Sequence, residues 1–184
     1  MADLSPVKAI ELRFAAAGYH ALRRHLLADP DNERIAFVFC GRHQATDGRI
    51  VLLAREVAPV PKDALERQSA GQVTVTQAFS REVLQRARAQ GLDLLDAHSH
   101  PFATRPAVFS AIDDQNEAML ARYVGARIPG MWYGAMVFSQ EDVDARLWWG
   151  HPPTPVPLDR LTVIGSQIEV VRPRSARHHP GHSG

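Results

Sequence analysis

Charged and apolar residues alternate from Lys8 to Phe14, which predicts a short strand with Ile10, Leu12 and Phe14 on one face. From Ala15 to Ala28 the apolar positions move to helical spacing at Tyr19, Leu22 and Leu26, and the cluster Asp29-Pro30-Asp31-Asn32 stops the helix. The continuous apolar run Ile35 to Cys40, closed by Gly41, and the β-rich run Arg49 to Ala58 predict a hairpin turning at Thr46-Asp47-Gly48. Val60 to Gly71 is polar and irregular, Gln72 to Thr76 predicts a short strand, and Gln77 to Gln90 is helical up to Gly91.

Leu92 to Ala97 predicts a buried strand that runs into His98-Ser99-His100 and breaks at Pro101. After a loop with Pro101 and Pro106, Ser110 opens a helix from Ala111 to about Val124. Met131 to Phe138 and Val143 to Trp149 predict a second hairpin, His151 to Pro157 a proline-rich linker, and Leu161 to Val171 a last strand. The polar stretch Arg172 to Gly184 predicts a disordered tail after a single domain over 1–171. Strand pairs joined by short turns, with helices at the start and middle, predict an α+β fold: an α-β-α sandwich around a mixed, largely antiparallel sheet.

Composition narrows the function classes. With 184 residues, 45% of them apolar, the chain buries a core without disulfides or structural metal, so a bound metal would serve chemistry. The 21 basic and 20 acidic side chains nearly cancel and form no block of one sign, which argues against a nucleic-acid or anionic-membrane partner. The lone Cys40, an N-terminus without a basic and then apolar pattern, and the absence of a membrane-length apolar run point to the cytoplasm.

Histidines at i and i+2 on a strand share a face, so His98 and His100 can offer imidazoles to one metal ion while Ser99 points away. Ser110-Ala-Ile-Asp113 reads as a capping box, and its first turn can also return Asp113 to the strand end as a third ligand. Two histidines and an aspartate leave zinc's fourth position open for water, as in catalytic sites. Glu33, before the apolar run, is the leading base candidate, with Glu56 and Glu82 as rivals, and Ser110 can donate its hydroxyl to an oxyanion. Trp132, Trp148 and Trp149 mark either a partner surface or core. His178, His179 and His182 resemble ligands by composition alone.

The combination of Glu33, His98-Ser99-His100-Pro101 and Ser110-Ala-Ile-Asp113 resembles the JAB1/MPN/Mov34 metalloenzymes, the JAMM or MPN+ family, over about Val7 to Trp149. The resemblance departs from the family pattern in two places. Nine residues separate His100 from Ser110 where seven are usual, and the strand after Glu33 has its glycine only at the end, at Gly41. It implies the JAB1/MPN-like, cytidine-deaminase-like form of the sandwich, zinc (Zn2+) on His98, His100 and Asp113, Glu33 activating the water and Ser110 stabilising the tetrahedral intermediate. It further implies hydrolysis of the bond after the C-terminal glycine of a ubiquitin-like protein or its conjugates. Compact bacterial members of this kind are often encoded beside E1-like and E2-like proteins in conjugation cassettes, some linked to defence against phage. Two alternatives stay open: an amidase acting on small peptides or sulfur-carrier proteins, and a binding module whose zinc is inert. The segment Val60 to Val75 is either a surface loop or a place where a modifier's extended tail adds as a strand.

Overall fold

The computed structural model describes residues 8–101 and 106–177. Among the described residues eleven strands and three α-helices follow one another as β1 (Ala9–Ala15), α1 (Ala16–Leu26), β2 (Ile35–Gln44), β3 (Arg49–Pro59), β4 (Leu65–Ser69), β5 (Gln72–Val75), α2 (Gln77–Gln90), β6 (Asp93–Ser99), α3 (Ala111–Arg127), β7 (Tyr133–Phe138), β8 (Val143–Trp149), β9 (Thr154–Pro157), β10 (Arg160–Ile164) and β11 (Ile168–Val171). Nine of the strands form one sheet in the order β11-β10-β1-β3-β2-β6-β7-β8-β9, and β4 and β5 form a separate hairpin. The pairs β1–β10, β1–β3 and β6–β7 are parallel and the other five in the large sheet antiparallel, the mixed, largely antiparallel α+β arrangement expected from the sequence. Among the described residues no helix is long and apolar enough to cross a membrane.

Strand alternation sorts the core onto two faces. Ala36, Val38 and Cys40 of β2 and Leu95 and Ala97 of β6 pack with Tyr19, Leu22 and Leu26 of α1. Phe37 and Phe39 of β2, Leu94 of β6 and Tyr133 of β7 pack instead with Val83, Leu84 and Ala87 of α2 and Ala121 and Val124 of α3. By the same alternation Asp96 and His98 face α2 and α3. The helix boundaries follow the predicted stops: Gly91, at φ +63°, takes the left-handed position after α2, where a side chain would be strained.

Five expectations are corrected. The polar segment after Val60 contains β4, which the sequence hides because Glu66, Arg67 and Gln68 are strand residues held by pairing with β5 rather than by an apolar face. β2 continues through Gly41 to Gln44 because β3 supplies ladder partners that far. The proline-rich linker contains β9, an edge strand where proline's missing N–H is tolerated, and the last segment is a hairpin of β10 and β11 rather than one strand. The predicted disordered tail is docked over 172–177: Pro173 is buried, the Arg174 N–H donates to the Val143 carbonyl at 3.0 Å, and the Ser175 N–H and hydroxyl donate to Asp144 at 3.0 and 2.6 Å. The remainder of that tail, with His178, His179 and His182, lies outside the described residues.

On the face away from α1, Glu11 ties β1 to β10. It accepts from Arg13 twice at 3.0 Å, from Thr162 at 2.6 Å and from Arg160 at 2.8 Å. The Arg13 guanidinium, helped by Thr162 and Arg160 and opposed by burial, lowers the Glu11 pKa from 4.5 to about 2. A carboxylate whose pKa is lower folded than unfolded stabilises the fold above pH 4.5 and loses that contribution as pH falls from 4.5 through 2. Glu11→Gln is expected to be less stable at pH 7 and to show a shallower loss of stability across that acid window, read from urea unfolding at a series of pH values. Parallel curves for the two proteins would contradict this.

Candidate metal centre

The site is assembled where β2 and β6 run antiparallel with Ile35 opposite His98. Ser99, fully buried, turns away from the histidines and locks this junction: its Oγ accepts the Arg34 N–H at 2.9 Å, and its own N–H donates to the Arg34 carbonyl at 3.0 Å. Glu33 is thereby fixed on one side. On the other, its N–H donates to the Ser69 carbonyl at 2.9 Å and its carbonyl accepts from Gln68 Nε2 at 3.0 Å, so the β4–β5 hairpin clamps it. His100 follows β6 with its N–H on the Phe138 carbonyl at 2.8 Å, extending the ladder with β7.

Ser110 caps α3 in a reciprocal box. Its Oγ accepts the Asp113 N–H at 3.2 Å while Asp113 Oδ2 accepts the Ser110 N–H at 2.6 Å. The other face of Asp113 approaches the histidines, with Oδ1 3.5 Å from His98 Nε2 and Oδ2 3.7 Å from His100 Nε2. His98, His100 and Asp113 each offer one ligand atom, all within 4.8 Å of one another, a grouping that can hold a metal ion. Glu33 Oε1 stands 3.8 Å from His100 Nε2, and Glu33 is only 5% exposed. The rival bases lie elsewhere: Glu56 pairs with Arg86, and Glu82 is exposed on α2. The tryptophans belong to packing: Trp148 is buried and Trp132 meets Trp149 edge-on at 4.2 Å.

The donor set fits a cation. Among the described residues, His98 Nε2 is buried with no hydrogen-bond partner, an atom that costs free energy unless something takes up its lone pair or proton. Without a metal, burial disfavours the His98 imidazolium, but the carboxylates of Asp113, Asp96 and Glu33 outweigh it and push the pKa up to about 9. Burial and the His98 charge push His100 down to about 4. Burial opposes ionisation of Asp113, yet His98 and the Ser110 bonds hold its carboxyl well below the usual range. A proton on His98 therefore does the charge balancing that a cation would do.

A cavity of about 100 Å³ continues inward from this cluster, lined among others by Asp96, Asn116, Glu117, Tyr133 and Val73. Asp96 accepts a hydrogen bond from the Tyr133 hydroxyl. Sequence reasoning passed over Asp96, although a carboxylate two residues before His98 on one strand shares its face. It also passed over Phe109, Glu117 and Arg146, whose part depends on contacts between α3 and β8.

Fold and site together define a mixed α+β domain with a buried cluster of two histidines and a carboxylate at the end of a central strand, able to bind metal. The model for prokaryotic homologs of the JAB domain matches residues 15–150, and the chain belongs to that family. No curated protein matches the sequence. Among solved structures it is similar to the solution structure of protein DSY2949 from Desulfitobacterium hafniense, at 18% identity and a TM-score of 0.49, over 91% of this chain and 99% of that one.

One metal ion per chain is expected, with uptake lost in His98→Ala, His100→Ala and Asp113→Ala, measured by elemental analysis. Because the metal must displace the His98 proton, affinity should rise with pH from neutrality towards 9, and calorimetry in buffers of different ionisation enthalpy should register about one proton released per metal. Full metal content in His100→Ala would remove the site.

Proposed function

We propose that this protein is a zinc-dependent isopeptidase or peptidase that removes or processes a bacterial ubiquitin-like modifier at its C-terminus. The reading is carried by the buried Glu33 carboxylate 3.8 Å from His100 Nε2, beside three side chains that converge as ligands, in a chain of the JAB family. Two imidazoles and one carboxylate suit zinc and leave a position for water. Zinc held by His98, His100 and Asp113 would supply an acidified water and a Lewis acid for the scissile carbonyl.

Glu33 is the proton carrier of this scheme. Burial raises its pKa to about 7, with the His98 charge opposing and the Asp113 charge adding. A carboxylate in that range takes a proton near neutrality and hands it to the leaving amine nitrogen, and a cation in the site would lower the value again. Ser110 Oγ takes part in the cap only as an acceptor, from the Asp113 N–H, so its hydroxyl hydrogen can be offered to the carbonyl oxygen of the substrate. The β4–β5 hairpin borders the cavity through Val73, which supports reading Val60 to Val75 as the rail on which an extended tail adds as a strand. On this reading the partners are a ubiquitin-like protein or its conjugates and the E1-like and E2-like proteins of one cytoplasmic cassette, which would suit a role in antiphage defence.

Glu33→Gln tests the scheme, because the amide keeps the size and polarity but accepts no proton. Cleavage of a modifier extended beyond its C-terminal glycine is expected to slow by roughly 10² to 10⁴ with zinc retained. Glu56→Gln and Glu82→Gln should change little. Near-normal turnover in zinc-loaded Glu33→Gln would overturn the assignment of the base, and a zinc-loaded wild type that cuts no modifier tail would favour the binding-module reading.

A further inference from the structure

Among the described residues, the N-terminal half of α3, which carries Asp113, has no large apolar anchor. Ala121 and Val124 bury the C-terminal half, whereas the buried side chain of the first two turns is Glu117, and Ile112 and Met119 are 49% and 66% exposed. Arg146 on β8, with Trp148 beside it, ties this half to the sheet. Its Nε donates to Glu117 Oε2 at 2.7 Å and its Nη1 to Asp114 Oδ1 at 2.6 Å, while Trp148 Nε1 donates to the same Glu117 oxygen at 2.8 Å. The guanidinium also lies 3.7 Å over the ring of Phe109, which meets the His98 ring edge-on at 6.3 Å.

One side chain thus grips α3 at the residue after Asp113 and again one turn on, and stacks on the residue before the Ser110 cap. It reaches these partners from a row in which Asp96 of β6 lies beside Ala135 of β7 and Ala135 beside Arg146. The small Ala135 keeps this row open under α3. We infer that Arg146 is a positioning residue of the metal centre: it fixes where Asp113 stands relative to His98 and His100, and through Phe109 it holds the His98 ring. The inference rests on the metal-centre reading given above. An arginine is required because only a planar fork can bridge two carboxylates and stack on a ring at once.

Charge and position predict opposite results. Removing a nearby positive charge by itself strengthens binding of a cation, whereas releasing Asp113 weakens it. Co2+ serves as the probe, since its visible absorption reports ligand geometry and its titration gives affinity, with thermal unfolding followed in parallel. Arg146→Gln is expected to bind Co2+ about 10- to 100-fold more weakly, the range typical for loss of a residue that orients metal ligands. Arg146→Lys keeps the charge but not the fork, so it too should bind more weakly and show an altered absorption band, and it carries the test if the glutamine variant fails to fold. Affinity and spectrum equal to wild type in Arg146→Lys, or tighter binding in a folded Arg146→Gln, would overturn the inference even if melting temperatures fall. A wild type that takes up no Co2+ or Zn2+ would instead overturn the metal centre, and this inference with it.

Discussion

The register between β2 and β6 is the constraint on which the site depends. Ile35 opposite His98 sets the end of one strand against the end of the other, so Glu33 and His100, far apart in the chain, meet beyond the ladder. A slip of one residue would turn His98 towards α1 and leave Ser99 under α3. That slip is blocked from both sides, because β2 alternates Ala36, Val38 and Cys40 against Phe37 and Phe39, and each set fills a different core. The same packing that stabilises the sheet therefore selects the face on which the chemistry sits.

Around that junction the structure gathers carboxylates where water is scarce. Glu33, Asp113, Asp96 and Glu117 all line one small cavity with His98. Their mutual repulsion is relieved in three ways: Arg146 takes Glu117, Tyr133 donates to Asp96, and the raised pKa of His98 favours an imidazolium beside Asp113. Only the last of these stands where a metal ligand atom would be. A divalent cation there would provide more positive charge than the proton it displaces, which is why a set of acidic groups costly on its own is compatible with a folded metal site.

The sequence makes local chemistry legible and distant chemistry invisible. The strand leading into His98, its break at Pro101 and the Ser110 cap are patterns of a few residues, and they stand at the positions the pattern predicts. The helix from Gln77 to Gln90 is equally local, bounded by Thr76 and Gly91. β4, β9 and the docked segment after Arg172 are different, since each is held by partners from elsewhere and none has an apolar alternation of its own. Glu33 lies between these cases. Its place before an apolar run is visible in the sequence, but what pins it there, the Arg34 bond to Ser99 across 65 residues and the bonds to β4, is tertiary. Arg146 had no local signal at all, because its meaning comes from acids on α3.

The elements of the site are consequently anchored with unequal strength. His98 is carried by a strand paired on both sides and His100 by the continuation of its ladder with β7, while Glu33 is held by its main-chain bonds to β4 and by those of its neighbour Arg34 to Ser99, none of which a side-chain substitution at Glu33 removes. Asp113 rides on a helix whose apolar contacts lie towards the far end, so its position is set by polar bonds made at the near end. Directional bonds between charged groups fix geometry more sharply than apolar contact does, but they fail more completely when one partner is lost. Loss of a core side chain such as Leu22 would lower the stability of the whole domain and leave the relation of the ligands intact in the molecules that remain folded. Loss of the Arg146 fork would act the other way, sparing most of the core while separating Asp113 from the histidines. Stability and site geometry are thus held by different interactions in this fold, and α3 is where the two come apart.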